Sequence, residues 1–252
     1  MTPHEYLDGL LRGQAMRQQD ISTLKQLRDK IEGDLRRSYG SAPRFYYAGS
    51  YGKDTMIQVS FDLDIVIYFP HTQTASLRDI FASVRSKLVQ TGYTVQPKTV
   101  ALRLPYQGGF HVDVVPGKAQ DGTFKYATLY KNEGTGSTLQ TSLKVHIDAV
   151  RKTGIRDCVK LMKLWRLRHG ILWSTFALEI IVGRALHGKR KDDHSVCMRE
   201  VFGFLAGNMV SVRLVDPANT ANIIDMSIAA RQALAAKANE ALSARYWEHI
   251  VW

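Results

Sequence analysis

The segment 48–69, AGSYGKDTMIQVSFDLDIVIYF, places two carboxylates, Asp62 and Asp64, in a run that is otherwise rich in Ile, Val and Phe. Residues two apart on a strand share a face, and like charges on one face repel. A fold gains nothing from such a pair unless something positive sits between them. Carboxylate oxygens are the preferred ligands of Mg²⁺, which keeps some waters and shares its remaining positions with substrate phosphates. A third acid of the same kind, Asp113, stands between valines in FHVDVVPGK. On a neighbouring strand it would complete a site for two ions roughly 3.5–4 Å apart, which hold the attacking and leaving oxygens of an in-line phosphoryl displacement. Ahead of the acids, Gly49 lets backbone approach a phosphate closely, and the Ser50 hydroxyl and nearby N–H groups can donate to phosphate oxygens. Taken singly, each of these acids reads as well as an edge-strand or turn residue, and a lone Gly-Ser carries no signal. The order Gly-Ser, Asp-x-Asp in an apolar strand, then a later strand Asp is what points to phosphoryl chemistry.

These residues need strands to carry them and helices to cover the strands. Residues 20–39 predict a helix, with Ile21, Leu24, Leu27, Ile31 and Leu35 at helical spacing and Lys25, Arg28, Lys30, Arg36 and Arg37 on the other faces. Residues 43–48 read as a short strand entering the Gly49-Ser50 turn, and SFDLDIVIYF as a strong strand ended by Pro70. Residues 76–91 predict a helix, and YTVQPKTVALRLPY and GGFHVDVVPGK two further strands. After about residue 137 the pattern becomes helical: 139–154, 155–170, 174–188, 198–210 and 225–249. The expected class is α+β, a mixed sheet with helices over residues 1–136 packed on a helical lobe over 137–252, with the active-site cleft between the two lobes.

The chain has 252 residues and 45% hydrophobic content, ordinary for a globular protein. No run approaches the ~20 apolar residues of a membrane span, and the charged N-terminus reads as no secretory leader. Two cysteines, Cys158 and Cys197, are too few for a disulfide framework and fit reduced thiols in the cytoplasm. Lys and Arg total 34 against 23 Asp and Glu, a formal net charge of +11. That excess attracts polyanions such as nucleotides or nucleic acid, and equally fits a basic surface that binds nothing. The helix at 20–39 and the segment 184–191 are the candidate surfaces for a nucleic-acid or protein activator.

The pattern of Gly49-Ser50, Asp62-x-Asp64 and Asp113 resembles the nucleotidyltransferase superfamily typified by DNA polymerase beta. In order, VKLMKLWRLRHG, STFALEIIVGRAL and VRLVDPANTAN resemble the helical lobe of oligoadenylate synthases, cyclic GMP-AMP synthase and their bacterial relatives, the cGAS/DncV-like nucleotidyltransferases. This resemblance implies that Asp62, Asp64 and Asp113 ligate two Mg²⁺ ions (or Mn²⁺) and that Asp113 helps deprotonate the attacking ribose hydroxyl. It implies that Gly49 and Ser50 hold the donor triphosphate and that Lys163 contacts it. Thr175 stands where relatives often carry Ser, with Ser174 the alternative, and Phe176 is a weaker candidate for base stacking. The implied activity joins NTPs, ATP among them, into cyclic or linear oligonucleotides with release of pyrophosphate. The implied setting is second-messenger signalling in bacterial anti-phage defence.

Other readings remain open on the sequence. Lys163 fits a solvated helix lysine, and Thr175 fits an N-cap. Asp216-Pro217 reads as a structural turn. His194 and Cys197 have the spacing of half a zinc site, with no further ligands evident. His111, two residues before Asp113, reads as a supporting residue. Gly134-Thr135-Gly136-Ser137 follows no clear strand and is not read as a phosphate loop. A CCA-adding or other template-independent RNA nucleotidyltransferase, an antibiotic- or protein-modifying transferase and a catalytically silent nucleic-acid sensor are the rival functions.

Overall fold

The structure, a computed structural model, describes residues 1–133 and 137–252. The Gly-rich segment singled out above falls largely outside the described residues. The chain forms two compact units, one of residues 16–54 and 60–147 and the other of residues 1–15, 55–59 and 148–252.

The first unit is a mixed sheet with helices. Helix α2 (Gln18–Tyr39) precedes strand β1 (Arg44–Tyr47), and the short helix α3 (Gly49–Lys53) follows it. Strand β2 (Leu63–Phe69), helix α4 (Leu77–Gln90), β3 (Gln96–Pro97), β4 (Leu102–Pro105), β5 (His111–Ala119), β6 (Ala127–Tyr130) and β7 (Thr138–Thr141) complete the sheet. The order runs β1-β2-β5-β4-β3, with β6 pairing β5 farther along and β7 pairing β6. Among the described residues, β2 and β5 pair in parallel and the other pairs of this sheet are antiparallel.

Alternation along β2 separates two environments. Leu63, Ile65, Ile67 and Phe69 are buried, and Phe69 meets Tyr39 of α2 edge to face, which marks this as the helix-covered side. Asp64 shares the opposite face with Val66 and Tyr68, which pack with Ala48, Ala127 and Leu129. The acids therefore lie on the face turned from α2. The Ser76 hydroxyl caps α4 by accepting from the Asp79 N–H, and α4 packs against β5, β6 and α2.

The second unit is mainly helical: α1 (Pro3–Gly13), α6 (Arg156–Arg168), α7 (Thr175–Ala185), α8 (His194–Asn208) and α9 (Ile228–Ser243). Helix α5 (Leu143–Arg151) spans the divide between the units. Trp165, fully buried, meets Phe202 edge to face in a core that also takes in Leu7 of α1 and Ile57. Among the described residues, no helix is long and apolar enough to cross a membrane.

Several boundaries differ from the expectation. The units divide after residue 147 rather than 136, and residues 1–15 and 55–59 belong with the helices, because Leu7 and Ile57 are buried in that core. Helix α1 went unpredicted although Thr2 and Glu5 form a capping box. Residues 139–141, expected to start a helix, pair with β6, and the helical half contains a hairpin, β8 (Val215–Asp216) with β9 (Asn219–Ile223). The ladder of β2 starts at Leu63, so Asp62 stands just before it.

Gly117 lies on the strand that carries Asp113, and a Cβ there would stand 2.6 Å from Leu129 Cδ2 and 3.1 Å from the Tyr68 ring. Gly117→Val is expected to destabilise the chain by about 1–3 kcal/mol. The shift in urea unfolding midpoint at constant slope measures it.

Candidate active site

Parallel pairing of β2 with β5 sets Asp64 directly opposite Asp113. Antiparallel pairing of β4 with β5 sets Arg103 opposite the same Asp113 from the other side. The Arg103 guanidinium donates to both carboxylate oxygens, Nε to Oδ1 at 2.9 Å and Nη2 to Oδ2 at 2.8 Å. His111 Nδ1 lies 2.8 Å from Asp62 Oδ1, and its Nε2 lies 3.7 Å from Asp113 Oδ2. The sheet thus gathers all three predicted acids with two basic side chains. His111 takes the supporting place expected of it. Arg103 was missed; its only trace in the sequence is a charge between two leucines in LRLP.

The electrostatics follow from crowding. Burial and the neighbouring Asp113 charge push Asp64 up to about 6, and Lys53 of α3, itself buried, pulls the other way. Burial also raises Asp62, opposed by His111 and Arg103. The hydrogen bonds from Arg103 to Asp113 raise the guanidinium further above its ordinary value, so it stays charged.

Gly49 shapes the floor of this site. Its φ is +52°, and a Cβ would stand 1.6 Å from Asp64 Oδ2. Only glycine combines that backbone angle with that approach. The Ala48 N–H donates to the Asp64 carbonyl at 2.9 Å, and the Gly52 N–H to the Ala48 carbonyl at 2.8 Å, fixing the turn on the strand. Ser50 follows in the first turn of α3, half-buried.

The three carboxylates are the ligand type that a hard divalent cation takes; burial and the Asp113 charge hold Asp64 hard to ionise, and the missing side chain of Gly49 leaves room for its carboxylate. Asp113 is turned to Arg103 and Asp62 to His111, and among the described residues no three His, Cys, Asp or Glu side chains form a metal-ligand group.

The other predicted residues lie in the helical unit. Lys163 is buried, and its ammonium donates to the Thr55 carbonyl at 2.8 Å and to Thr55 Oγ1 at 3.1 Å. It is therefore not a solvated lysine. Ser174, not Thr175, is the N-cap of α7, accepting from the Ala177 N–H at 3.1 Å. Thr175 and Phe176 follow in the first turn, both half-buried. The His194 ring lies beside that of His4, tilted, with ring centres 4.7 Å apart, and among the described residues it joins no metal-ligand group with Cys197. Asp216 accepts from the Ala218 N–H at 2.8 Å, a turn-forming role.

The expected basic surfaces are largely neutralised in place. On α2, Arg17 pairs with Asp20, Arg28 and Arg36 with Glu32, and Lys30 and Arg37 with Asp34. In 184–191, Lys189 pairs with Glu200 and Arg190 with Asp192. By contrast, Arg78 and Arg85 of α4 show no hydrogen bond or ion pair among the described residues, and both line a cavity of about 580 Å³ with Phe81, Tyr130 and Asn132.

An acid-bearing mixed sheet with a glycine turn against its central carboxylate is the architecture of a nucleotidyltransferase. Residues 1–153 match the family described as Second Messenger Oligonucleotide or Dinucleotide Synthetase domain, and the chain belongs to that family, within the cGAS/DncV-like nucleotidyltransferases. No curated protein matches it. Among solved structures, E. coli MS115-1 CdnC with ATP is 20% identical over 95% of this chain and 90% of its own, with a TM-score of 0.76. Elizabethkingia meningoseptica CdnE, a cyclic dinucleotide synthase with GTP and Apcpp, is 12% identical over 91% of this chain and 100% of its own, at 0.70. Vibrio cholerae DncV in its apo form is 18% identical over 82% of this chain and 66% of its own, at 0.65. These likenesses show a shared fold.

Two outcomes are expected. Gly49→Ala should cut product formation by about 100-fold or more, the scale of a 1 Å misplacement at a reacting centre, while circular dichroism shows the fold retained. Asp64 has a folded value near 6 against an ordinary 3.8, so the folded chain binds more protons between these limits and loses stability as pH rises through them. Asp64→Asn removes that cost. In EDTA it should unfold at higher urea than the wild type near pH 7.5, by about 1–3 kcal/mol, with the difference vanishing below about pH 4.

Proposed function

We propose that this chain is an Mg²⁺-dependent synthase that joins NTPs into a cyclic or linear oligonucleotide. The observation that carries the proposal is the convergence of Asp62, Asp64 and Asp113 beside a turn whose glycine backbone abuts Asp64. A ribose hydroxyl of one nucleotide attacks the α-phosphate of another; the new O–P bond forms as the bond to pyrophosphate breaks. Asp113 takes the hydroxyl proton, and Gly49 and Ser50 hold the donor phosphates. Asp62, Asp64 and Asp113 would hold Mg²⁺, which supplies charge neutralisation at the phosphates. Catalysis by positioning and electrostatics is what phosphoryl transfer requires.

Lys163, Ser174 and Thr175 are proposed contacts to the triphosphate. Lys163 would serve that purpose only by releasing Thr55, so Lys163→Met is expected to lower the melting temperature as well as nucleotide affinity. By family resemblance, the product is a second messenger in bacterial anti-phage signalling in the cytoplasm. CdnC has been solved with a HORMA protein, and a protein activator is the partner proposed for this chain.

The test is incubation of the purified chain with all four NTPs and Mg²⁺ or Mn²⁺, beside an Asp62→Asn/Asp64→Asn double variant, with products identified by mass spectrometry after phosphatase. A phosphatase-resistant cyclic product made only by the wild type is expected. A linear chain grown on added RNA would instead favour a template-independent RNA nucleotidyltransferase.

A further inference from the structure

Arg103 and Asp113 face each other across paired antiparallel strands, so their contact is written into the sheet register rather than into a mobile loop. Both side chains are mostly covered, Arg103 at 33% and Asp113 at 14% exposure. The contact is a two-pronged one, with a donor on each carboxylate oxygen at 2.9 and 2.8 Å. A planar guanidinium in this geometry fixes the carboxylate's rotation as well as its position, which a lysine ammonium cannot do. Each carboxylate oxygen offers about two lone-pair sites, so the fork consumes one on each and leaves the other on each directed away from Arg103. Asp62 is approached instead by His111, whose Nδ1 lies 2.8 Å from its Oδ1, and Asp64 feels the charge of Lys53.

We propose that Arg103 is a positioning residue for the nucleotidyl transfer, aligning the free lone pairs of Asp113 for the divalent ion and hydroxyl proton that this one acid handles. The inference rests on the functional reading above. Carboxylate ligands of metals are commonly held by such outer partners, whose loss costs about 10–100-fold in metal affinity or activity. The opposing effect is also physical: a guanidinium beside the site repels a second cation. The two effects predict opposite signs, so one measurement decides between them.

The experiment is Mn²⁺ binding to the full chain with a non-hydrolysable ATP analogue, read by electron paramagnetic resonance. It compares the wild type with Arg103→Met, Arg103→Lys, Asp113→Asn and Asp62→Asn/Asp64→Asn. Arg103→Met is expected to weaken, by about 10–100-fold, the same Mn²⁺ that Asp113→Asn loses, and to leave any remaining ion in place. Turnover should fall by a similar factor with KM for ATP unchanged. Arg103→Lys, which keeps the charge without the fork, should recover only part of the loss; being the milder change, it carries the test if Arg103→Met does not fold. Unchanged or tighter Mn²⁺ binding in Arg103→Met would overturn the inference. So would wild-type binding in Arg103→Lys, since charge alone would then suffice. A wild type that binds no Mn²⁺ lost in Asp62→Asn/Asp64→Asn would instead overturn the functional reading beneath it.

Discussion

Three carboxylates crowd the face of a sheet whose other side is packed with Leu, Ile and Phe, and the surrounding architecture answers that crowding. The parallel pairing of β2 and β5 forces Asp64 against Asp113, at a cost visible in Asp64, which is pushed up to about 6 by burial and by its neighbour's charge. Basic side chains approach from three directions: Arg103 from β4, His111 from the start of β5 and Lys53 from α3. A glycine at position 49 removes the one side chain that would collide with Asp64. A sheet selected for stability alone would replace these acids with valine. Their presence marks a site where stability is given up for electrostatic work.

The rest of the chain handles charge in the opposite way. On α2, acids and bases alternate at helical spacing and cancel within one element. Asp34, buried, accepts from Tyr93 at 2.6 Å and pairs with Lys30 and Arg37. Such pairs contribute little net stability each when exposed, yet they decide which cations remain available to an anionic partner. The net charge of +11 therefore overstates the free positive surface around α2.

Much of the site was legible because its signal is local. Two acids two residues apart in an apolar strand, and a glycine ahead of them, are visible without knowing the fold. The pairing of Asp64 with Asp113, and of Asp113 with Arg103, was not, because register is a long-range property and LRLP reads as an ordinary strand with one charge. Lys163 shows the same limit: its helical pattern was clear, but the partner that buries it, Thr55, lies 108 residues away in sequence. Strand β7 was read as helix because TLQT lacks the apolar alternation of a strand and adjoins a strong amphipathic pattern. Helix α1 carried its own start signal in Thr2 and Glu5, so that omission was avoidable.

If compensated charge crowding is the basis of this site, divalent cations must settle among the three acids when nucleotide binds. Anomalous diffraction from crystals grown with Mn²⁺ and a non-hydrolysable ATP analogue tests this directly. The account predicts anomalous peaks within ligand distance of Asp62, Asp64 and Asp113, with Asp113 still gripped by Arg103. Bound nucleotide with no anomalous peak at these acids, or a peak held by other residues, would contradict it.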